Sequence, residues 1–417
     1  MKITFNLRKF LVSPMGATIF PLFLLIIAFF LPPSIYSKYI KEVDYMFLNM
    51  KMLIFVLLCH AFYYIGIFTN RFKFILKTKI YIKKIKVSKD IFIGFLAILT
   101  ILMNIIFLVV FSICFYKVSG VGMLEMILNG QADLIKSLIN SEKLIIPFGL
   151  GAIPTFLIAI ELWLLYKLYE LPIGNYKLLK FFIYISVTLF IIIAIITVNR
   201  SVLMIPIIGW FVIYLHLRKT KISFSFFLKF FLIISVLFAI TSVIRWNADV
   251  QLIIERLIGY TIANFNRMVL MIDGKLSYVK AGVPNIFYLI PIIKIPFTSV
   301  DFFNFREISQ ISFLSIGDVG LNPAYNMATL YGGIYQVIGI ATPLYFFFLG
   351  IIGSYLYYLF VKQKYFGILM YPLFYAFVAL WMIDVNIFMM FFLYFFYAYI
   401  IILIYSSLFK TNDLIKT

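Results

Sequence analysis

Ten apolar runs alternate with short polar joints along this chain, at 16–36, 50–68, 91–116, 144–168, 181–198, 202–217, 226–244, 333–360, 366–383 and 386–408. About 20 residues of helix cover the hydrocarbon core of a bilayer, so the pattern predicts an all-α polytopic membrane protein of about ten transmembrane helices. The fifth to seventh runs are short or poorly separated. The fifth and sixth are joined only by Asn199-Arg200-Ser201, which predicts a tight helical hairpin. The first run is followed by Pro-Pro-Ser and not by a small-residue cleavage site, so it reads as a retained anchor. One long stretch, 245–332, breaks the pattern. Its first part predicts an amphipathic helix over Asp249–Ile272, with Ile253, Ile254, Leu257, Ile258, Ile262, Phe265, Val269 and Ile272 on one face and Asp273-Gly274 as the stop. Its middle, Phe287–Phe297, is too short to span and is broken by Pro291 and Pro296, which predicts a re-entrant or interfacial segment.

Composition agrees with the pattern: 64% of the 417 residues are hydrophobic and only 12% charged, against about 25% charged in soluble domains. No soluble domain is apparent, and residues 1–417 read as one integral membrane domain. Cys59 and Cys114 both lie inside apolar runs, which argues against a disulfide framework or a cysteine metal site. The net charge of +20 raises the question of nucleic acid, and its distribution answers it. Joints on one side collect 22 of the 36 Lys and Arg with three acids; the other side has 14 with twelve acids. That asymmetry is the positive-inside pattern, so no nucleic-acid partner is expected. It places both termini in the cytoplasm and 245–332 as the large external loop.

The outward cations differ in kind. Five of the 14 are arginine, against three of 22 on the cytoplasmic side. Arginine offers a rigid planar fork suited to phosphate oxygens, while its other common use is to anchor a helix end at the interface. Arg200 stands at a hairpin tip, where Gly or Asn is the usual choice. Arg245, Arg256 and Arg267 recur every 11 residues, about three helical turns, so one continuous helix would put them on one face. Steps of about 16 Å are too long for all three to hold one diphosphate, so either the chain bends near Trp246–Asp249 or they line a groove. Arg306 follows, and Asp318, Asn322, Tyr325 and Asn326 gather just before the eighth run. Inside the runs, His60, Asn104 and Glu161 are the polar residues, with Glu161 toward the cytoplasmic end of its span. They serve either helix pairing or an ion relay. No Walker loop, dinucleotide fingerprint or HExxH motif occurs.

Val198-Asn199-Arg200-Ser201 after a span, the late Asn322-x-x-Tyr325-Asn326 stretch running on to Gly332-Gly333, and one long outward loop together resemble the Wzy-type oligosaccharide repeat-unit polymerases of O-antigen and capsule synthesis. The likeness covers the whole chain by topology and about 30 residues by motif. It implies a GT-C-like glycosyltransferase of the bacterial cytoplasmic (inner) membrane. Such an enzyme joins undecaprenyl-diphosphate-linked oligosaccharides into a surface polysaccharide at the outer face, without metal or cofactor. The lipid-linked glycan and the bilayer are then its partners, with a chain-length regulator and a flippase as companions. Carried to this chain, the resemblance assigns catalysis to Arg200, Arg245 and Asp318, and substrate binding to Arg256, Arg267, Arg306, Asn322, Tyr325 and Asn326. Asp249 and Glu255 are further candidates for a base. Related ligases use an outward histidine, and His60 and His216 are not outward, which favours polymerase over ligase. The late motif lacks the acidic step common in the family, since Tyr335-Gln336-Val337 stands there. A lipid-linked oligosaccharide flippase or other secondary transporter is the main alternative, and a membrane acyltransferase the third.

Overall fold

The computed structural model describes residues 7–42, 49–69, 89–129, 132, 135, 138, 153–170, 177–197, 200–217, 224–246, 248–276, 319–322, 325, 329–382 and 395–404. Among them there is helix and no strand. In chain order the helices are α1 (Leu7–Val12), α2 (Pro14–Ala17), α3 (Ile19–Phe30), α4 (Pro33–Ile40), α5 (Met50–Thr69), α6 (Lys89–Ser119), α7 (Met123–Leu128), α8 (Ile153–Glu170), α9 (Lys177–Ile196), α10 (Arg200–Leu217) and α11 (Phe224–Trp246). There follow α12 (Val250–Ile258), α13 (Asn264–Ile272), α14 (Leu330–Ile338), α15 (Thr342–Val361), α16 (Tyr365–Ala379) and α17 (Phe395–Ile404). Large apolar side chains face outward along them, among them Ile54 and Leu57 on α5, Leu102 and Ile105 on α6, and Leu232 and Ile233 on α11. Lipid is the solvent that makes such a surface stable, and the chain is a helical membrane protein.

Four helical runs are long and apolar enough to cross a membrane: Met50–Thr69, Ile93–Ser119, Lys177–Ile196 and Leu330–Val361, or five if α2–α3 and α4 count as one broken span. Leu203–Leu217, Leu228–Ile244, Tyr365–Ala379 and Phe395–Ile404 are apolar but shorter. By length and composition, four or five of the expected ten are met among the described residues. Two of the expected spans are also built differently. The run 16–36 is not one rod: its helix ends at Phe30, and after Pro32 the chain leaves in α4 at 100°. Proline explains the break, because Pro32 supplies no N–H to continue the ladder and Pro33 starts the next helix at its first position.

The run 333–360 conceals a reversal. Leu330–Val361 scans as a single 32-residue apolar helix, yet the rings of Tyr331 and Phe346 stack with centroids 5.2 Å apart. On a straight helix that separation would be about 22 Å, so the chain must fold back between them. The turn is at Gly339, with φ 57° and ψ −132°, a conformation closed to residues carrying a Cβ. Only α15 is then left to cross, and α14 is a short return arm beside it.

The most extensive helix pair is α5 with α15, and α6–α9, α15–α16 and α8–α10 complete the bundle. Its aromatic centre is Tyr63, Phe346 and Trp381, with both outer rings edge-on to the indole at 4.9 Å. Tyr375 donates to Leu11 O at 2.8 Å, and Tyr371 to Val12 O, which fastens α16 to the first helix.

Candidate functional site

The amphipathic helix expected over 249–272 forms between the expected ends. Asp249 caps it, its carboxylate accepting from Leu252 N at 2.8 Å, and the helix closes at Asp273–Gly274. That cap also separates it from α11, which ends at Trp246. Arg245 and Arg256 therefore lie on different helices, and the 11-residue spacing does not extend across the break. A π-helical turn at Gly259–Ala263 splits the remainder into α12 and α13. The wider turn retards the side-chain register, which leaves Arg256 half-buried and Arg267 with no exposed surface.

The described parts of the stretch, the 249–272 helix and the residues from Thr329, are worked into the bundle. Asn264 Nδ2 donates to Met382 O at 2.8 Å, and Leu330 N donates to Trp381 O at 2.8 Å, both just past the end of α16. Tyr331 shares a 2.8 Å hydrogen bond with His60, near the middle of α5. Gly332 lies against Met268, whose Cα would be 3.1 Å from a Cβ at that position.

Arg267 is the buried hub. Its Nη1 donates to Ala263 O at 2.8 Å, and its Nη2 to Glu42 Oε1 at 2.5 Å and Asn322 O at 2.9 Å. Both side chains of the Arg267–Glu42 pair are fully buried. Asn322 belongs to the same knot: its N donates to Glu42 Oε1 at 3.0 Å and its Nδ2 to Ile40 O at 2.8 Å. Lys41 caps α4 in the left-handed region at φ 58°, and the next two side chains along the chain diverge. Glu42 goes inward to Arg267, while Lys41 reaches Glu255 at 3.0 Å. Burial pushes the Glu255 carboxyl up, but the Gln251 and Lys41 hydrogen bonds and the Lys41 and Arg256 charges outweigh it and hold it below the ordinary carboxylate range.

Arg256 completes the arrangement. Its guanidinium lies 5.5 Å from the centroid of the Tyr325 ring, a cation–π contact worth about 0.5–2 kcal/mol. Tyr325 in turn donates to Glu255 O at 3.1 Å and lies flat against Gly259, where a Cβ would come within 2.0 Å of the ring. The π turn thus exposes a glycine surface on which Tyr325 sits. Gly259→Ala should destabilise the protein by about 1–3 kcal/mol through that overlap. Tyr325→Ala in the same background should restore most of the loss, read by thermal unfolding of the purified protein. Equal losses in both backgrounds would mean that the ring is not what the glycine makes room for.

Five of the residues singled out from sequence therefore come together: Glu255, Arg256, Arg267, Asn322 and Tyr325. Their roles differ. Arg267 has its charge compensated internally by Glu42, and Asn322 is a clip between segments, whereas Arg256 is the guanidinium left partly open to the surroundings. Asp249 is occupied as a helix cap. Arg200 opens α10 and Arg245 lies in the last turn of α11, with their side chains outside the described residues. Arg306, Asp318, Asn326 and the Phe287–Phe297 segment also lie outside them. Lys41 and Glu42 were missed from sequence. A buried arginine implies a carboxylate somewhere, but nothing in the order of residues identifies one 225 positions away. Among the described residues no group of three His, Cys, Asp or Glu is placed to hold a metal ion.

Compared with known proteins, the chain matches no family model, no curated protein and no solved structure. The functional reading therefore rests on these residues.

Proposed function

We propose that the chain is a membrane glycosyltransferase that polymerises undecaprenyl-diphosphate-linked oligosaccharide repeat units at the outer face of the bacterial cytoplasmic membrane. In this reading the chain crosses ten times with both termini in the cytoplasm, in a GT-C-like arrangement. The observation that carries it is the meeting of Arg256 and Tyr325 above the Arg267–Glu42–Asn322 knot. It gives a half-buried guanidinium, stiffened by an aromatic face, next to the first outward turn of the chain. A growing glycan would enter from the membrane, and a sugar hydroxyl of a fresh lipid-linked unit would attack its anomeric carbon. The C–O bond to the diphosphate breaks as the new glycosidic bond forms, and the hydroxyl proton leaves to a base. The departing diphosphate gains negative charge, and fixed guanidiniums in a partly dry site stabilise that change most. Arg256, Arg200 and Arg245 are the residues assigned to it, while Arg267 fixes Asn322, three residues before the Tyr325 that lies against Arg256.

A second reading, a lipid-linked oligosaccharide flippase or other secondary transporter, draws on the carboxylate buried at Glu161. Complementation of a polymerase-deficient strain, read as glycan chain length, separates the two. Arg256→Ala should lower polymerisation by about 10²–10³-fold, the usual loss on removing one charge-stabilising donor, and Arg256→Lys should recover only part because the fork is lost. Arg200→Ala and Arg245→Ala should also shorten the chains. Long chains in all three alanine variants at wild-type protein levels, together with their loss in Glu161→Ala, would make transport the better reading.

A further inference from the structure

A second polar cluster lies on three helices that contribute nothing to the Arg256–Arg267 site. Glu161 lies on α8, within the 144–168 run. Ser186, from the middle of α9, donates to Glu161 Oε1 at 2.5 Å. Asn104, from the middle of α6, lies close enough to act on the same carboxylate, yet its amide does not reach hydrogen-bond geometry. All three side chains are shut away, with 2%, 0% and 0% exposure. Glu161 Oε2 and both amide atoms of Asn104 have no partner.

A lone carboxylate in an apolar interior is costly unless a positive charge accompanies it, and no Lys, Arg or His side chain pairs with Glu161 among the described residues. Three helices bring the two oxygens of the carboxylate, the Ser186 hydroxyl and the Asn104 amide to one place. We infer that Glu161, Asn104 and Ser186 form a binding site for a monovalent alkali cation, tested here as sodium. Charge fixes the valence. One carboxylate balances one positive charge, whereas a divalent ion would leave an unbalanced charge in the bundle. Ligand type fixes the class, since carboxylate, hydroxyl and amide oxygens suit hard cations. A proton on Glu161 would occupy one oxygen, whereas an alkali cation is held by several at once.

The experiment is thermal unfolding of the full-length protein in detergent as sodium is titrated, with potassium or N-methylglucamine keeping ionic strength constant. An ion that binds only the folded state raises the midpoint with a saturable dependence on its concentration. Wild type should show that rise in sodium but not in N-methylglucamine, and Glu161→Gln should abolish it. Asn104→Leu and Ser186→Ala should each raise the half-maximal sodium concentration at least tenfold. Thr100→Val is the control. Its hydroxyl lies one turn from Asn104 but donates to Leu96 O of its own helix at 2.6 Å, so the response should survive. If Glu161→Gln does not yield folded protein, the Asn104 and Ser186 variants decide. A wild-type midpoint indifferent to sodium and potassium overturns the site, as does a response that persists unchanged in the variants. A carboxylic-acid carbonyl band in infrared spectra of sodium-loaded wild type, absent in Glu161→Gln, also overturns it by showing a protonated side chain. The readout is the unfolding midpoint and not glycan length, so failure of the site leaves the chain-length results of the Arg256, Arg200 and Arg245 variants standing.

Discussion

Glu42→Ala should cost about 3–5 kcal/mol of stability, the penalty for leaving one member of a buried ion pair without its partner. Arg267 and Glu42 are each fully buried and lie 2.5 Å apart. Without Glu42 the guanidinium keeps only Ala263 O and Asn322 O as acceptors, its Nε already has none, and its charge is uncompensated. Arg267→Ala should lose a similar amount, because the carboxylate would remain buried beside Asn322 N. Replacing both at once, as Glu42→Leu with Arg267→Met, should recover most of the loss, since an apolar pair of similar volume needs no mutual compensation. The internal comparison is Lys41–Glu255, one residue away along the chain. Lys41 is 63% exposed, so water and salt screen the pair and Lys41→Ala should cost only about 0.2–1 kcal/mol. Denaturant unfolding of the purified variants measures all four. Equal costs for Glu42→Ala and Lys41→Ala would show that the Arg267 charge is not compensated through Glu42.

That pair also marks where the sequence stops being informative. The helix Asp249–Ile272 was legible because its signals are local: an aspartate that can cap, an apolar face at helical spacing, and an Asp-Gly stop. The helix ends decided the fate of the arginine series as well, since the same Asp249 cap separates Arg245 from Arg256. The partner of Arg267 was not legible, because Glu42 is 225 residues away and only the bundle brings it near. Nor was the reversal at Gly339, because the two arms it joins are equally apolar and hydropathy carries no direction. The inward course of the 249–272 helix was hidden for a similar reason. A count of cations places a loop on one side of a membrane, but its depth depends on hydrogen bonds such as Asn264 to Met382. The 249–272 helix meets the residues gathered before the eighth run, as Tyr325 on Gly259 and Asn322 on Arg267. The residue that closes it comes from the turn after α4. Arg200, assigned to catalysis by the resemblance, has no described side chain.

Gly66→Val should be the most damaging single change within the spans, because there the backbones of α5 and α15 touch. A Cβ at Gly66 would come within 2.0 Å of Phe347 O, and one at Gly350 within 2.2 Å of Tyr63 O. Both obstructing atoms are backbone, so no rotamer change relieves the overlap and the helices must separate. In lipid there is no hydrophobic force to hold them; what does so is close packing and the weak Cα–H···O contacts it permits. Overpacking costs about 1–3 kcal/mol where side chains can shift, and more where they cannot, so Gly66→Val should exceed about 3 kcal/mol. Gly66→Ala and Gly350→Ala should each be milder, and together less than additive, since the first already opens the crossing that the second needs. Gly94 on α6 is the control: a Cβ there would find only Leu179 Cδ1, at 3.9 Å. Gly94→Ala should therefore be neutral or stabilise by up to about 1 kcal/mol through helix propensity. The damage should extend to the outer cluster. Tyr331 is bonded to His60 on α5 and stacked on Phe346 of α15, so moving the two helices apart moves the arm that begins at Leu330. Thermal midpoints of the five variants, with fluorescence of Trp381 as the local reporter, test the chain of contacts. If Gly66→Val melts as wild type does, α5 and α15 do not cross at these glycines.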